Sequence, residues 1–199
     1  MYTDGVKVDL TEEDIKEAID WGAKNKNSYG ENASKVYRFG RPLSTWITNW
    51  VNFRQATKKK ISAWSEYKES GSIFTKFSLL AALGASFARE NKRPERTYIN
   101  EILNMKTMAV TIWAYGDKRR FAKNYQIVLK QGDKVIQPVE AEADQLACKT
   151  AFFPKSPSFS ARVNAKFLYS DINTRAKTAI ILIKDRGESR FECDFSQHK

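Results

Sequence analysis

The sequence predicts an α+β protein: a helical region, residues 1–105, followed by an antiparallel β-sandwich, residues 106–199. Three observations predict it. Apolar residues recur at three- and four-residue spacing up to about Asn104, the period of a helix with one buried face. From Met108 the period changes to two, the alternation of half-buried strands. Turn residues then punctuate the chain at short intervals, at Gly116-Asp117, Gly132-Asp133, Pro154 with Pro157, and Arg186-Gly187.

In the helical region, Thr11 precedes Glu12, Glu13 and Asp14, a capping box with acids at the positive end of the helix dipole. Ile15, Ala18, Ile19 and Gly22 give that helix its apolar face. Residues 25–30 read as a loop, and Val36 to Phe39 as a brief extended piece stopped by Gly40. Pro42 suits a first helical turn. Trp46, Trp50, Phe53, Thr57, Ile61 and Trp64 form a stripe at helical spacing, predicting an amphipathic helix over 42–69 that Gly71 breaks. A further helix is predicted over Phe74 to Glu90, and a short one capped by Thr97 and ending near Asn104.

Seven β runs follow: 108–115, 125–130, 134–139, 145–152, 159–169, 176–184 and 189–195. Within 159–169, Ala161, Val163, Ala165, Phe167 and Tyr169 alternate with Arg162, Asn164, Lys166 and Leu168, so one face points inward and the other to water. Ala179 to Ile183 is apolar on both faces and reads as a central strand. Seven short strands at this spacing are what a seven-stranded antiparallel immunoglobulin-like sandwich needs.

Composition bounds the function. The 199 residues are 42% hydrophobic and 13% aromatic, which supports a core; 29% are charged, with a net charge of +11. That excess suits partners rich in phosphate, anionic headgroups or acidic side chains. The longest apolar stretch, residues 77–88, is too short to cross a bilayer as a helix. The start, Met1-Tyr2-Thr3-Asp4-Gly5, has neither the basic nor the apolar region of a secretory leader.

The β half resembles the C-terminal module of uncharacterised exported proteins and lipoproteins of bacteria. The resemblance is carried by Ala114-Tyr115-Gly116-Asp117, by Phe121-Ala122-Lys123-Asn124-Tyr125 and by the run Val128 to Pro138 around Gln131-Gly132-Asp133. Phe167-Leu168-Tyr169-Ser170-Asp171-Ile172 and the run Gly187 to Ser196 complete it. It covers about half of the chain. It implies an extracytoplasmic, immunoglobulin-like fold and no reaction. An extracytoplasmic protein of periplasm or envelope, its leader absent from these residues, is therefore expected, with a cytoplasmic one as the alternative.

No catalytic set is legible. His198, the only histidine, lies next to the end of the sequence, which leaves a serine or cysteine nucleophile without its usual base. Two cysteines are too few and too far apart for a zinc site, and no Asp-rich loop has EF-hand spacing. Glu12, Glu13, Asp14, Glu17 and Asp20 read as a solvated helix face, and Glu140, Glu142 and Asp144 as a loop. No catalytic residue, metal or cofactor is expected.

Three groups are candidates for contact. Alternation places Cys148 with Leu146, Thr150 and Phe152, and Cys193 with Phe191 and Phe195, all facing the core. They are then either buried free thiols or one bridge, worth about 3–4 kcal/mol and favoured only in an oxidising compartment. Arg162, Lys166, Lys177, Lys184 and Arg190 would make a basic contact face if the strands bring them together. Lys58, Lys59 and Lys60 with Trp50 and Trp64 would meet nucleic acid or an anionic membrane if those rings are exposed; helical spacing argues that they form core instead.

The expected function is a non-enzymatic, extracytoplasmic component of the bacterial cell envelope, structural or mediating protein–protein contacts, with an acidic protein surface as its partner. The alternative is a basic nucleic-acid-binding protein using the helix over 42–69.

Overall fold

The computed structural model describes residues 7–28, 38–40 and 69–195. The helix predicted over 42–69, with Trp50, Lys58, Lys59, Lys60 and Trp64, lies outside these residues.

Helix α1 spans Glu12–Lys24, and Thr11 caps it as predicted: its hydroxyl accepts from the Asp14 N–H, and the Asp14 carboxylate accepts from the Thr11 N–H. Helix α2 spans Lys76–Arg89 and begins two residues later than predicted, because Thr75 is its cap and Ser78 closes a second capping box. Helix α3 spans Arg96–Leu103; its N-cap is Glu95 rather than Thr97. Ile15, Ala18, Phe77, Leu80 and Ile99 form one core between these helices. The approach is close because two glycines face backbone. A Cβ on Gly22 would sit 1.9 Å from the Ala81 carbonyl oxygen, and one on Gly84 2.4 Å from that of Ile19.

The strands form two antiparallel sheets. The first holds β1 (Arg38–Gly40), β2 (Ser70–Phe74), β3 (Thr107–Gly116), β8 (Phe159–Leu168) and β6 (Glu140–Ala143) in that order, with β7 (Cys148–Lys149) also paired to β8. The second holds β10 (Glu188–Asp194), β9 (Lys177–Ile183), β4 (Gln126–Gln131) and β5 (Lys134–Ile136). The protein is thus of mixed α+β class. Two strands from the first 105 residues extend the first sheet: β2 pairs with β3 from Ser70↔Trp113 to Phe74↔Ala109, and β1 pairs with β2.

A single apolar core joins the sheets. Met108, Val110, Ile112, Val163, Ala165 and Phe167 face Ile127, Leu129, Ile180 and Leu182 across it, with Cys193 and Phe195 alongside. Each fully buried large side chain there contributes about 1.5–3 kcal/mol. The expected alternation in β8 holds: Ala161, Val163, Ala165 and Phe167 are buried, while Arg162 and Lys166 are exposed. Tyr169 ties this core to the helices. Its hydroxyl accepts from the Lys76 N–H at 3.1 Å, and burial pushes its phenol up to about 12.

Beyond changes at run ends, such as β5 stopping at Ile136 where the run reached residue 139, the strands differ from the predicted runs in three places. Gly71 lies within β2, a strand outside the seven predicted runs. Residues 140–143, read as loop, form β6, because the exposed Glu140 and Glu142 lie opposite Lys166 and Asn164 of β8. The run over 145–152 shrinks to two residues, and its facing shifts by one: Ala147 is buried while Leu146 and Cys148 are exposed. The inward reading of Cys148 is therefore corrected, whereas Cys193 is buried as expected, and no disulfide joins them.

Candidate interaction surface at the loop end

The five bases singled out from sequence do not share a face. Arg162 and Lys166 stand on the outer side of the first sheet, opposite to core residues of the same strand. Lys177, Lys184 and Arg190 belong to the second sheet and its β9–β10 turn. Four of the five have acid partners. Arg162 Nε lies 3.8 Å from Asp144, Lys166 Nζ 2.9 Å from Glu140, Lys184 Nζ 3.1 Å from Glu69 and Arg190 Nε 2.6 Å from Glu192. Glu140 and Asp144, read as loop carboxylates, are thus ion-pair partners of β8.

A different group of cations gathers at one end of the sheets. Gly116 pairs with Phe159, and Gln126 with Ile183. Those registers bring three connections to one end: residues 117–125 between β3 and β4, 150–158 between β7 and β8, and 184–187 between β9 and β10. The first carries Lys118, Arg119, Arg120 and Lys123, all exposed. Lys149 and Lys155 lie at and within the second, and Arg186 is in the third; all three are exposed. None of these seven has an acid partner among the described residues.

Hydrogen bonds fix the three loops to one another. Asp117 accepts from the Ser156 hydroxyl at 3.0 Å and the Ser158 N–H at 3.1 Å. The Ala147 N–H donates to the Arg119 carbonyl at 2.8 Å, and the Asn124 amide to Asp185 at 3.2 Å. Beneath them Ala122, Ala147 and Ala161 pack with Phe121, Tyr125 and Phe159. Gly116 leaves room for this, since a Cβ there would meet the Phe121 ring at 2.6 Å. Burial, and then the carboxylates of Asp185 and Glu69, hold the Tyr125 phenol above its ordinary value.

Charge at this end is one-sided. Setting aside the Lys184–Glu69 and Arg162–Asp144 pairs, seven cations face three acids: Asp117, Asp185 and Glu188. Asp117 and Asp185 already hold loop donors. The field of such a cluster concentrates anions. Two apolar side chains stand among the cations. Phe153, 43% exposed, has its ring edge-on to Phe159 and 4.2 Å below Lys149 Nζ, and Leu146, 49% exposed, precedes the Ala147–Arg119 bond. At the opposite end Gln131 bonds Asn173 and Thr178, and Lys134 bonds the Asp171 carbonyl.

The sequence carried a signal for this site that its reading did not use. Four bases fall within six residues, Lys118 to Lys123, directly after the Gly116-Asp117 turn. What the sequence hides is that residues 150–158 and 184–187 come to the same end. Among the described residues, no group of three or more His, Cys, Asp and Glu is placed to hold a metal, and no helix is long and apolar enough to cross a membrane.

No protein-family model matches the chain, and no curated protein matches it in sequence.

Proposed function

We propose that the two sheets form an immunoglobulin-like sandwich and that the protein is a non-enzymatic binding module of the bacterial cell envelope, meeting an anionic partner with its loop end. Strand order supports the first part. The runs β2-β3-β8-β6 and β10-β9-β4-β5 correspond to the orders A-B-E-D and G-F-C-C′ of such sandwiches, with α2 and α3 inserted between A and B. On that correspondence residues 117–125 and 184–187 are the B–C and F–G loops, which lie at the end that immunoglobulin variable domains use for binding. Placement in the envelope rests on the resemblance to exported bacterial proteins.

The observation that carries the functional reading is the set of exposed cations without acid partners on three mutually bonded loops. Such a surface gives electrostatic attraction and fast encounter. The test uses polyglutamate and heparin as polyanion probes on a sensor surface at low salt. Reversing Lys118, Arg119, Arg120 and Lys123 to Glu is expected to weaken binding more than about tenfold. Reversing Arg93, Lys106, Arg175 and Lys177 removes the same charge from elsewhere and is expected to leave binding within about threefold. Equal losses in both variants would show attraction by net charge alone and end the reading.

A further inference from the structure

The loop end as a binding site leaves the class of anionic partner open, and the inference here rests on that site. We propose that the loop end docks on an anionic lipid surface, with Leu146 and Phe153 entering the headgroup layer between the cations. Among the described residues seven large hydrophobic side chains are exposed, and three of them, Leu146, Phe153 and Ile183, lie at or beside this end. Leu146 and Phe153 are carried by the connections that flank β7, and Ile183 closes β9.

The combination decides between partners. Nucleic acid would use the cations, and Phe153 could stack on a base, but Leu146 has no ring to stack. An acidic protein would need carboxylates and apolar pockets at fixed positions opposite side chains from separate loops. A headgroup plane supplies negative charge and hydrocarbon at any register. The Lys149–Phe153 contact at 4.2 Å has the matching geometry, an ammonium held beside a ring that partitions into the interface. Each cation near such a surface contributes about fivefold to partitioning. Withdrawal of the Phe153 ring from water contributes about tenfold.

The experiment uses the full chain and sedimentation with vesicles of phosphatidylcholine, with or without phosphatidylglycerol. The protein is expected to sediment with the anionic vesicles at low salt and to stay in solution with pure phosphatidylcholine. Phe153→Ser should lower partitioning about tenfold, and Lys118→Glu with Arg120→Glu at least about twenty-five-fold, both with an unchanged circular-dichroism spectrum. A polarity-sensitive fluorophore on the exposed Cys148 thiol should shift to the blue on anionic vesicles. Binding of polyglutamate or duplex DNA through the loop end without vesicle binding overturns the lipid assignment and leaves the binding site standing. Binding of neither polyanions nor vesicles removes both. Vesicle binding that ignores Phe153→Ser and leaves the fluorophore unshifted places the contact elsewhere and overturns the proposal.

Discussion

Replacing Asp14 with Asn tests the start of the helical pair at a single charge. The Asp14 side chain is 7% exposed. Burial alone would raise its pKa. Hydrogen bonds from Lys7 Nζ at 2.8 Å, from the Thr11 N–H at 3.0 Å and from the Thr11 hydroxyl at 2.8 Å, with the charge of Lys7, outweigh burial and hold the carboxyl at about 2 instead of 3.8. A difference of nearly two units corresponds to about 2.4 kcal/mol. Lys7 is 27% exposed, so solvent screens part of this, leaving about 1–2 kcal/mol. Asn keeps one carbonyl oxygen for the Thr11 N–H and hydroxyl, and its NH2 replaces the oxygen that faces Lys7, so the charge and the Lys7 hydrogen bond are lost together.

The folded-state pKa lies below the unfolded value, so the contribution is complete above the unfolded pKa of 3.8 and is lost as the pH falls toward about 2. Urea unfolding followed by circular dichroism should show Asp14→Asn less stable by about 1–2 kcal/mol at neutral pH. That gap should close as the pH falls through this window. A gap that stays constant down to the acid end, or a variant as stable as the parent at neutral pH, would refute the assignment of the stabilisation to the ionised carboxylate.

Gly22→Ala and Gly84→Ala should each lower the melting temperature. The helical propensity gained, about 1 kcal/mol, is smaller than the cost of driving a Cβ into a backbone oxygen 1.9 Å or 2.4 Å away, which forces α1 and α2 apart and costs about 1–3 kcal/mol or more; a thermal melt at or above that of the parent would contradict this close approach. Thiol titration of the native protein should find one reactive group, Cys148, and a second, Cys193, only after unfolding. Two groups reacting at once, or none, would contradict the exposure of one cysteine and the burial of the other.

Much of the fold was legible because it depends on neighbours in sequence. The Thr11–Asp14 capping box, the alternation from Ala161 to Phe167 and the turn at Gly132, whose φ of +58° suits glycine, are all set within a few residues. The misplaced elements depend on partners far along the chain. Ser70-Gly71-Ser72 has little strand propensity, and β3 makes it a strand by supplying the unpaired edge that its backbone completes. Glu140 to Ala143 is a strand because Lys166 stands opposite Glu140, a pairing across 26 residues. The facing of Cys148 followed from extending a run that tertiary pairing cuts to two residues, and one residue of shift exchanges inside for outside.

The candidate site divides in the same way. By itself the sequence determined the α+β class, the inward faces of β8 and β10, the Thr11 cap of α1 and an excess of positive charge. Only the tertiary structure decided where that charge is free to act. It gave Arg162, Lys166, Lys184 and Arg190 acid partners, and it drew Lys118 to Lys123, Lys149, Lys155 and Arg186 to one end without them. The physical reason is that charge is a property of each residue. Its pairing depends on strand order and register, which are fixed by burying between two sheets one core that runs from Ile73 to Phe195.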